Sequence, residues 1–299
     1  MQKELGLTIL NQATQSLAQR AMPKRELYLW LYAAMIIVLA AKVFRFGSFA
    51  LFYHAAHNIN LFMWGAVAVA AWRLNRFTGN QLAQSRDVAL MSGLGLGCLF
   101  AVAVASTAGF GPAFGVFGLA LIFARPNEEN LRSAGIVMLA LATHFTIAPL
   151  FFRAFLDQIL TLDSAIVAFA FQILRPDMVW KTATQIVSSG PGHFGILLVG
   201  GCSAFNGISA AFLVHLAWAM KHRTYLTRYD TIAVCATAIL IIILNTGRLL
   251  LTGWDRGSYN FWHGADGDTF GALMFSLAQT GIIVGGGYFS ARWAAAKEV

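Results

Sequence analysis

Charged side chains are scarce in this 299-residue chain. Only 11% of its residues are Asp, Glu, Lys or Arg, whereas 58% are hydrophobic. Water-soluble domains carry charges on about 25% of their residues, so this composition excludes an ordinary globular domain in water. Several apolar runs instead approach the ~20 residues that a helix needs to cross a bilayer. The sequence therefore predicts an all-α polytopic membrane protein.

Cysteine is also scarce, at three residues. Three cysteines provide neither a disulfide framework nor a zinc-binding spacing, and we expect neither a metal nor a cofactor. Cys98 and Cys235 lie inside apolar runs and are predicted to be small core residues. Cys202 stands out because it lies between a glycine pair and the start of an apolar helix, in the stretch VGGCSAFNGIS.

About eight transmembrane helices are expected. Their approximate bounds are 27–44, 48–72, 88–107, 109–124, 134–152, 204–220, 231–251 and 271–291. A ninth apolar run, 164–174, is too short to span comfortably and is predicted to be re-entrant or interfacial. Before the sixth span, apolar and β-branched residues flank a Gly/Pro turn at 189–192. This pattern predicts a short β-hairpin on the outer face.

The basic residues predict the orientation. With the N-terminus in the cytosol, fourteen of the 21 Lys and Arg residues lie in cytosolic segments, in agreement with the positive-inside rule. Both termini are then cytosolic. Residues 1–26 form a cytosolic N-terminal segment, and 27–299 form one transmembrane domain, with a supporting bundle at 27–142 and the reactive region at 143–290. The sequence contains no compact basic patch interleaved with aromatic residues, which is the pattern typical of nucleic-acid binding. Nucleic acid is therefore not expected as a partner.

That orientation brings three reactive side chains to the outer side. Cys202 starts span six, Arg248 lies in the outer half of span seven, and His263 lies in the loop before span eight. A helix N-terminus or a nearby cation favours the reactive thiolate of a cysteine. His263 could carry the thiol proton to a leaving amine, and Arg248 could stabilise an oxyanion or orient the substrate. Each residue alone has a simpler interpretation: a core cysteine, a snorkelling arginine and an incidental histidine.

Five further polar residues are predicted to bind substrate or to support this site: Ser203, Asn206, Asn245, His54 and His57. Asn245 lies three residues before Arg248 and shares its helical face. His54 and His57 are also three apart, on span two, where they could line the same outer cavity or hydrogen-bond between helices. No carboxylate or third ligand lies nearby in sequence, which argues against a metal at the histidine pair.

The stretch GGCSAFNGIS resembles the catalytic-cysteine segment of the exosortase/archaeosortase family. In that segment, Cys-Ser-Gly is followed by an apolar residue and then Arg or Asn. The matching residues are Cys202, Ser203, Phe205 and Asn206, whereas Ala204 replaces the glycine. The family's later arginine and histidine correspond to Arg248 in NTGR and His263 in FWHGADGDTFG. Family members often carry an acidic residue just before the cysteine, where this chain has Gly200 and Gly201.

This resemblance implies a cysteine protease/transpeptidase of the bacterial inner membrane. Such enzymes act on exported proteins whose C-terminal sorting signal comprises a short motif, one membrane span and a basic tail. Cleavage would leave a thioester on Cys202, and the acyl group would pass to an acceptor or to water. The implied partners are these exported proteins and membrane lipids.

A small-solute transporter or channel is the alternative interpretation. Arg248, Asn245 and the span-two histidines would then line a polar pathway. Many transporters contain internal repeats or broken helices in corresponding halves, and neither feature is evident in the sequence. A third interpretation is a structural or assembly subunit without catalysis.

Overall fold

The computed structural model describes residues 24–44, 61–77, 92–97, 110–124, 127–182, 184–188, 195–263 and 270–297. The predicted histidine pair, His54 and His57, lies outside these residues. The described chain is mainly helical and contains a small three-stranded sheet. It forms two compact units, Met1–Asn60 with Val67–Leu139 and Leu61–Ala66 with Ala140–Val299.

The first unit contains α1 (Lys24–Phe44) and α3 (Phe110–Ala124), together with most of α2 (Leu61–Asn75) and of α4 (Glu129–Ala142). Helices α3 and α4 approach closely because a glycine on each faces the other. A Cβ atom added to Gly118 would lie 2.7 Å from the carbonyl oxygen of Gly135, and one added to Gly135 would lie 2.6 Å from that of Gly118. Small residues of this kind allow apolar helices to pack backbone against backbone.

A π-turn at Thr143–Ile147 joins α4 to α5 (Ala148–Ala154). Pro149 lies in the first turn of α5, and proline has no N–H to donate to the preceding turn. The wider π-turn lets the helix continue across this missing bond, and such turns are frequent at functional sites. Within it, Nδ1 of His144 and Oγ of Ser209 share a hydrogen bond at 2.8 Å.

Helix α6 follows at Leu156–Leu174 and leads into the sheet, which comprises β1 (Met178–Thr182), β2 (Gln185–Ser188) and β3 (Gly195–Leu197). The strands are antiparallel in the order β1-β2-β3. Strands β2 and β3 flank the Gly/Pro turn, as the sequence predicts. The additional strand β1 arises because the apolar run before that turn folds back on itself near Thr184, without a glycine to mark the turn.

Three helices of the second unit pack together: α7 (Phe205–His222), α8 (Arg228–Thr252) and α10 (Phe270–Lys297). A buried carboxylate joins one end of this group. Asp230 completes a capping box with Thr227 at the start of α8 and accepts hydrogen bonds from Arg223 at 2.7 Å and Ser290 at 2.6 Å. A buried charge is tolerated when it is paired and hydrogen-bonded in this way.

Within the described residues, four helices are long and apolar enough to cross a membrane: Glu129–Ala154, Leu156–Leu174, Arg228–Thr252 and Phe270–Trp293. A mostly helical fold consistent with a membrane protein is therefore confirmed, but the count of eight spans is not. The expectation that 164–174 is too short to span is wrong, because its helix begins at Leu156 and has 19 residues. Helix α7 is not among the four, since Asn206, His215 and Lys221 lower its mean hydropathy.

Candidate functional site

Cys202 ends a single 3-10 turn, Gly200–Cys202, between β3 and α7. Its N–H donates to the carbonyl oxygen of Val199 at 2.7 Å, and helix α7 begins three residues later, at Phe205. The residue is only 5% exposed. Its side chain belongs to an apolar cluster with Val167, Phe171, Ile186, Ile196, Leu198 and Leu249, among others. Burial of this kind is what a small core cysteine also shows, so the polar neighbours of Cys202 decide its role.

Helix α8 provides two of these neighbours. Asn245, 4% exposed, donates from Nδ2 to the carbonyl oxygen of Cys202 at 2.8 Å. Arg248 is half-buried less than one turn further along, and its charge interacts with Cys202. The guanidinium carbon lies 4.3 Å from the centre of the Phe275 ring on α10, within range of a cation–π contact. The structure thus brings Cys202, Asn245 and Arg248 together.

Aromatic residues of α5 hold the other side of the turn. The rings of Phe151 and Phe152 stack on Phe205, with centroids 5.9 Å and 5.3 Å away. A Cβ atom on Gly200 would lie 3.2 Å from the Phe152 ring, so the turn lies directly against α5. These contacts fix the start of α7 and therefore the position of Cys202.

Helix α6 contributes a carboxylate that the sequence analysis missed. Asp163 hydrogen-bonds with the side chain of Ser203 and the backbone of Ala204, the two residues after Cys202. Its partner Ser203 also accepts a hydrogen bond from the N–H of Phe205 at 3.2 Å. An ionisable residue inside an apolar, membrane-length helix is a signal of function. The sequence shows an aspartate in this apolar helix, but it does not indicate which residues the carboxylate contacts.

The remaining predicted residues are less closely involved. Asn206 is exposed in the first turn of α7. His263 is the last residue of helix α9 (Arg256–His263), which packs against α8 and α10, and its side chain lies outside the described part of the structure, as do His54 and His57. Among the described residues, no group of three or more His, Cys, Asp or Glu could hold a metal ion.

Helix α9 is anchored at the end of α8 that is nearest to Cys202. Arg175 forms a salt bridge with Asp177 at 2.6 Å and donates to the carbonyl oxygen of Trp254. Asp255 accepts a hydrogen bond from the N–H of Ser258 at 2.7 Å. This bond, together with the positive charge of Arg175, holds the pKa of Asp255 below its usual value.

The site therefore combines a thiol near the start of a helix, a guanidinium and a carboxylate. A thiol can act as a nucleophile, a guanidinium can stabilise developing negative charge, and a carboxylate can accept a hydrogen bond. No protein-family model matches the chain, and the comparisons with curated proteins and with solved structures found no match either. The chemistry of the site is therefore inferred from the side chains that form it.

Replacing Asn245 with Ala tests how the turn is held. The variant leaves the carbonyl oxygen of Cys202 without its partner in an apolar environment, which costs about 1–3 kcal/mol. Thermal unfolding in detergent should show this loss, whereas Asn260→Ala on the exposed face of α9 should leave stability nearly unchanged. Equal stability of the two variants would contradict the role assigned to Asn245.

Asp255 provides a test of pH dependence. Because its pKa is lower in the folded protein, the stabilisation of α9 is present above the unfolded value of about 3.9 and is lost as the pH falls through the lower, folded value. Hydrogen exchange in α9, corrected for intrinsic rates, should therefore be unchanged between about pH 7 and 5. At neutral pH, Asp255→Ala should speed exchange of the Ser258 amide, and Asp255→Asn should not, because Asn also caps helices well. Loss of protection already at pH 5 would show that another group controls this helix.

Proposed function

We propose that this chain is a membrane-embedded cysteine protease/transpeptidase of the exosortase/archaeosortase type. Its substrates are exported proteins that end in a short motif, one membrane span and a basic tail. The observation that carries the proposal is that the charge of Arg248, on a neighbouring helix, lies within electrostatic range of Cys202, which immediately precedes α7. A core cysteine needs no such charge beside it, and a charged residue within an apolar helix is costly unless it has a function.

The proposed reaction uses each group once. The thiolate of Cys202 attacks the carbonyl carbon of the scissile peptide bond, so that a C–S bond forms and the carbonyl electron pair moves to oxygen. Arg248 stabilises this oxyanion. Collapse restores the carbonyl and breaks the C–N bond, and the nitrogen leaves as an amine with the proton that His263 took from the thiol. An amine acceptor or water then attacks the thioester and regenerates the thiol.

The proposed location of the protein follows from the distribution of its Lys and Arg residues, interpreted by the positive-inside rule. We place the protein in the bacterial inner membrane, with both termini in the cytosol and Cys202 on the outer side. Sorting signals of exported proteins reach that side while their membrane span remains in the bilayer. The apolar walls around Cys202 exclude water from the thioester, which favours transfer to an acceptor over hydrolysis.

Cys202→Ala tests the proposal. Exported proteins that are encoded in the same genome and end in motif, span and basic tail are tagged and co-expressed with the wild type or a variant. Removing the nucleophile should reduce processing by at least about 10³-fold, to background. Cys235→Ala should process normally, because Cys235 lies in the first half of α8 and is exposed, and not in the core as its apolar run predicted. Normal processing of every tagged protein by Cys202→Ala would refute the proposal.

A further inference from the structure

One carboxylate oxygen of Asp163 has no hydrogen-bond partner among the residues that the structure describes. The side chain hydrogen-bonds with Ser203 and with the backbone of Ala204, which holds the two residues just before α7 in place. The second oxygen, Oδ2, is buried, and no group in the part of the chain that the structure describes hydrogen-bonds to it. A buried acceptor without a partner is destabilising. The contacts with Ser203 and Ala204 do not use Oδ2, so holding this segment in place does not explain its burial.

Arg248, on helix α8, is a cation without an anionic partner in the described part of the chain, as Oδ2 of Asp163 is an acceptor without a donor. Its guanidinium contacts the Phe275 ring and interacts with Cys202, but it has no carboxylate partner among the described residues. Asp163 and Arg248 therefore act on the same short segment, Cys202 to Ala204, one from α6 and one from α8, without forming an ion pair with each other. The site thus has an unused acceptor and an unpaired cationic donor close to one thiol.

A peptide bond carries the two matching groups. Its carbonyl oxygen accepts hydrogen bonds and becomes negative when the carbon is attacked, and its N–H donates. If the carbonyl oxygen faces Arg248, the N–H is left to find an acceptor in an environment from which water is largely excluded. An unpaired N–H of this kind would weaken substrate binding.

We propose that Asp163 is a substrate-binding residue of the Cys202 site, whose free Oδ2 accepts a hydrogen bond from the N–H of the scissile peptide bond. This inference rests on the function proposed above and specifies the chemical group that the site recognises: an amide with a free N–H. The bond orients the peptide so that its carbonyl carbon faces Cys202 and its oxygen faces Arg248. Asp163 also binds the segment just after Cys202. In the family that the chain resembles, an acidic residue often stands just before the cysteine, and this chain has Gly200 and Gly201 there.

Asp163→Asn removes the proposed acceptor with little change in shape. The remaining side-chain oxygen can still accept from Ser203 and Ala204, whereas the new NH₂ group meets the substrate N–H donor to donor. The matched control is Asp157→Asn, an exposed carboxylate in the first turn of the same helix. Thermal unfolding of both variants in detergent verifies that each is folded before its kinetics are compared.

Two substrates distinguish a hydrogen bond between Asp163 and the substrate from a purely structural role of Asp163. One is a synthetic peptide with the motif and span of a protein that the wild type processes, and the other is its ester analogue, in which oxygen replaces the scissile N–H. With the amide, Asp163→Asn should lower kcat/KM by about 10- to 100-fold relative to wild type, the effect of losing one hydrogen bond to a charged group. With the ester, the loss should be less than about threefold, because no N–H is present to lose. Asp157→Asn should match wild type on both substrates.

Equal losses on the amide and the ester would overturn the inference and leave Asp163 a purely structural residue. An unchanged rate on the amide would overturn it as well. Cys202→Ala is measured in parallel to separate the two proposals. If that variant is inactive while Asp163→Asn is normal, only the role of Asp163 fails, and if Cys202→Ala remains active, the proposed function itself fails.

Discussion

The hydrogen bond from Asn245 to the carbonyl oxygen of Cys202 is the interaction on which the arrangement of the second unit depends. Between β3 and α7 the chain leaves regular structure inside an apolar protein, and its backbone polar groups need partners there. Asn245 of α8 and Asp163 of α6 provide them, while Phe151 and Phe152 of α5 pack against the same stretch. One irregular turn thereby contacts α8 as well as α5 and α6, two consecutive helices that lie far from α8 in the sequence.

The same requirement explains why polar chemistry accumulates at this point. Polar side chains are costly in apolar surroundings, and here they serve the backbone of a turn that positions a cysteine. Arg248 goes beyond this requirement, because its guanidinium serves no backbone group within the described residues. Oδ2 of Asp163 is likewise unused. Holding the turn in place therefore accounts for neither of these two groups.

The sequence predicted the parts of this picture that depend on local pattern. Hydropathy indicated helices, the Gly/Pro turn indicated strands β2 and β3, and the spacing of Asn245 and Arg248 indicated a shared helical face. Its errors had both local and long-range causes. The length of α6 was underestimated because Asp157 and Asp163 made its first half look interfacial, and β1 was missed because its turn has no glycine. Asp163 could not be assigned a partner, since Ser203 lies 40 positions later in the chain and only folding brings the two together.

The central claim is that Cys202 forms a covalent bond to the substrate, and mass spectrometry of the trapped enzyme tests it most directly. The wild-type enzyme is mixed with a processed substrate, quenched in acid and digested. The account predicts that the peptide containing Cys202 gains the mass of the acyl fragment, that neutral hydroxylamine removes this mass as it does from a thioester, and that peptides from Cys202→Ala show no such gain. A turnover mixture whose acyl group is attached to another residue, or in which Cys202→Ala accumulates the same adduct elsewhere, would contradict the account.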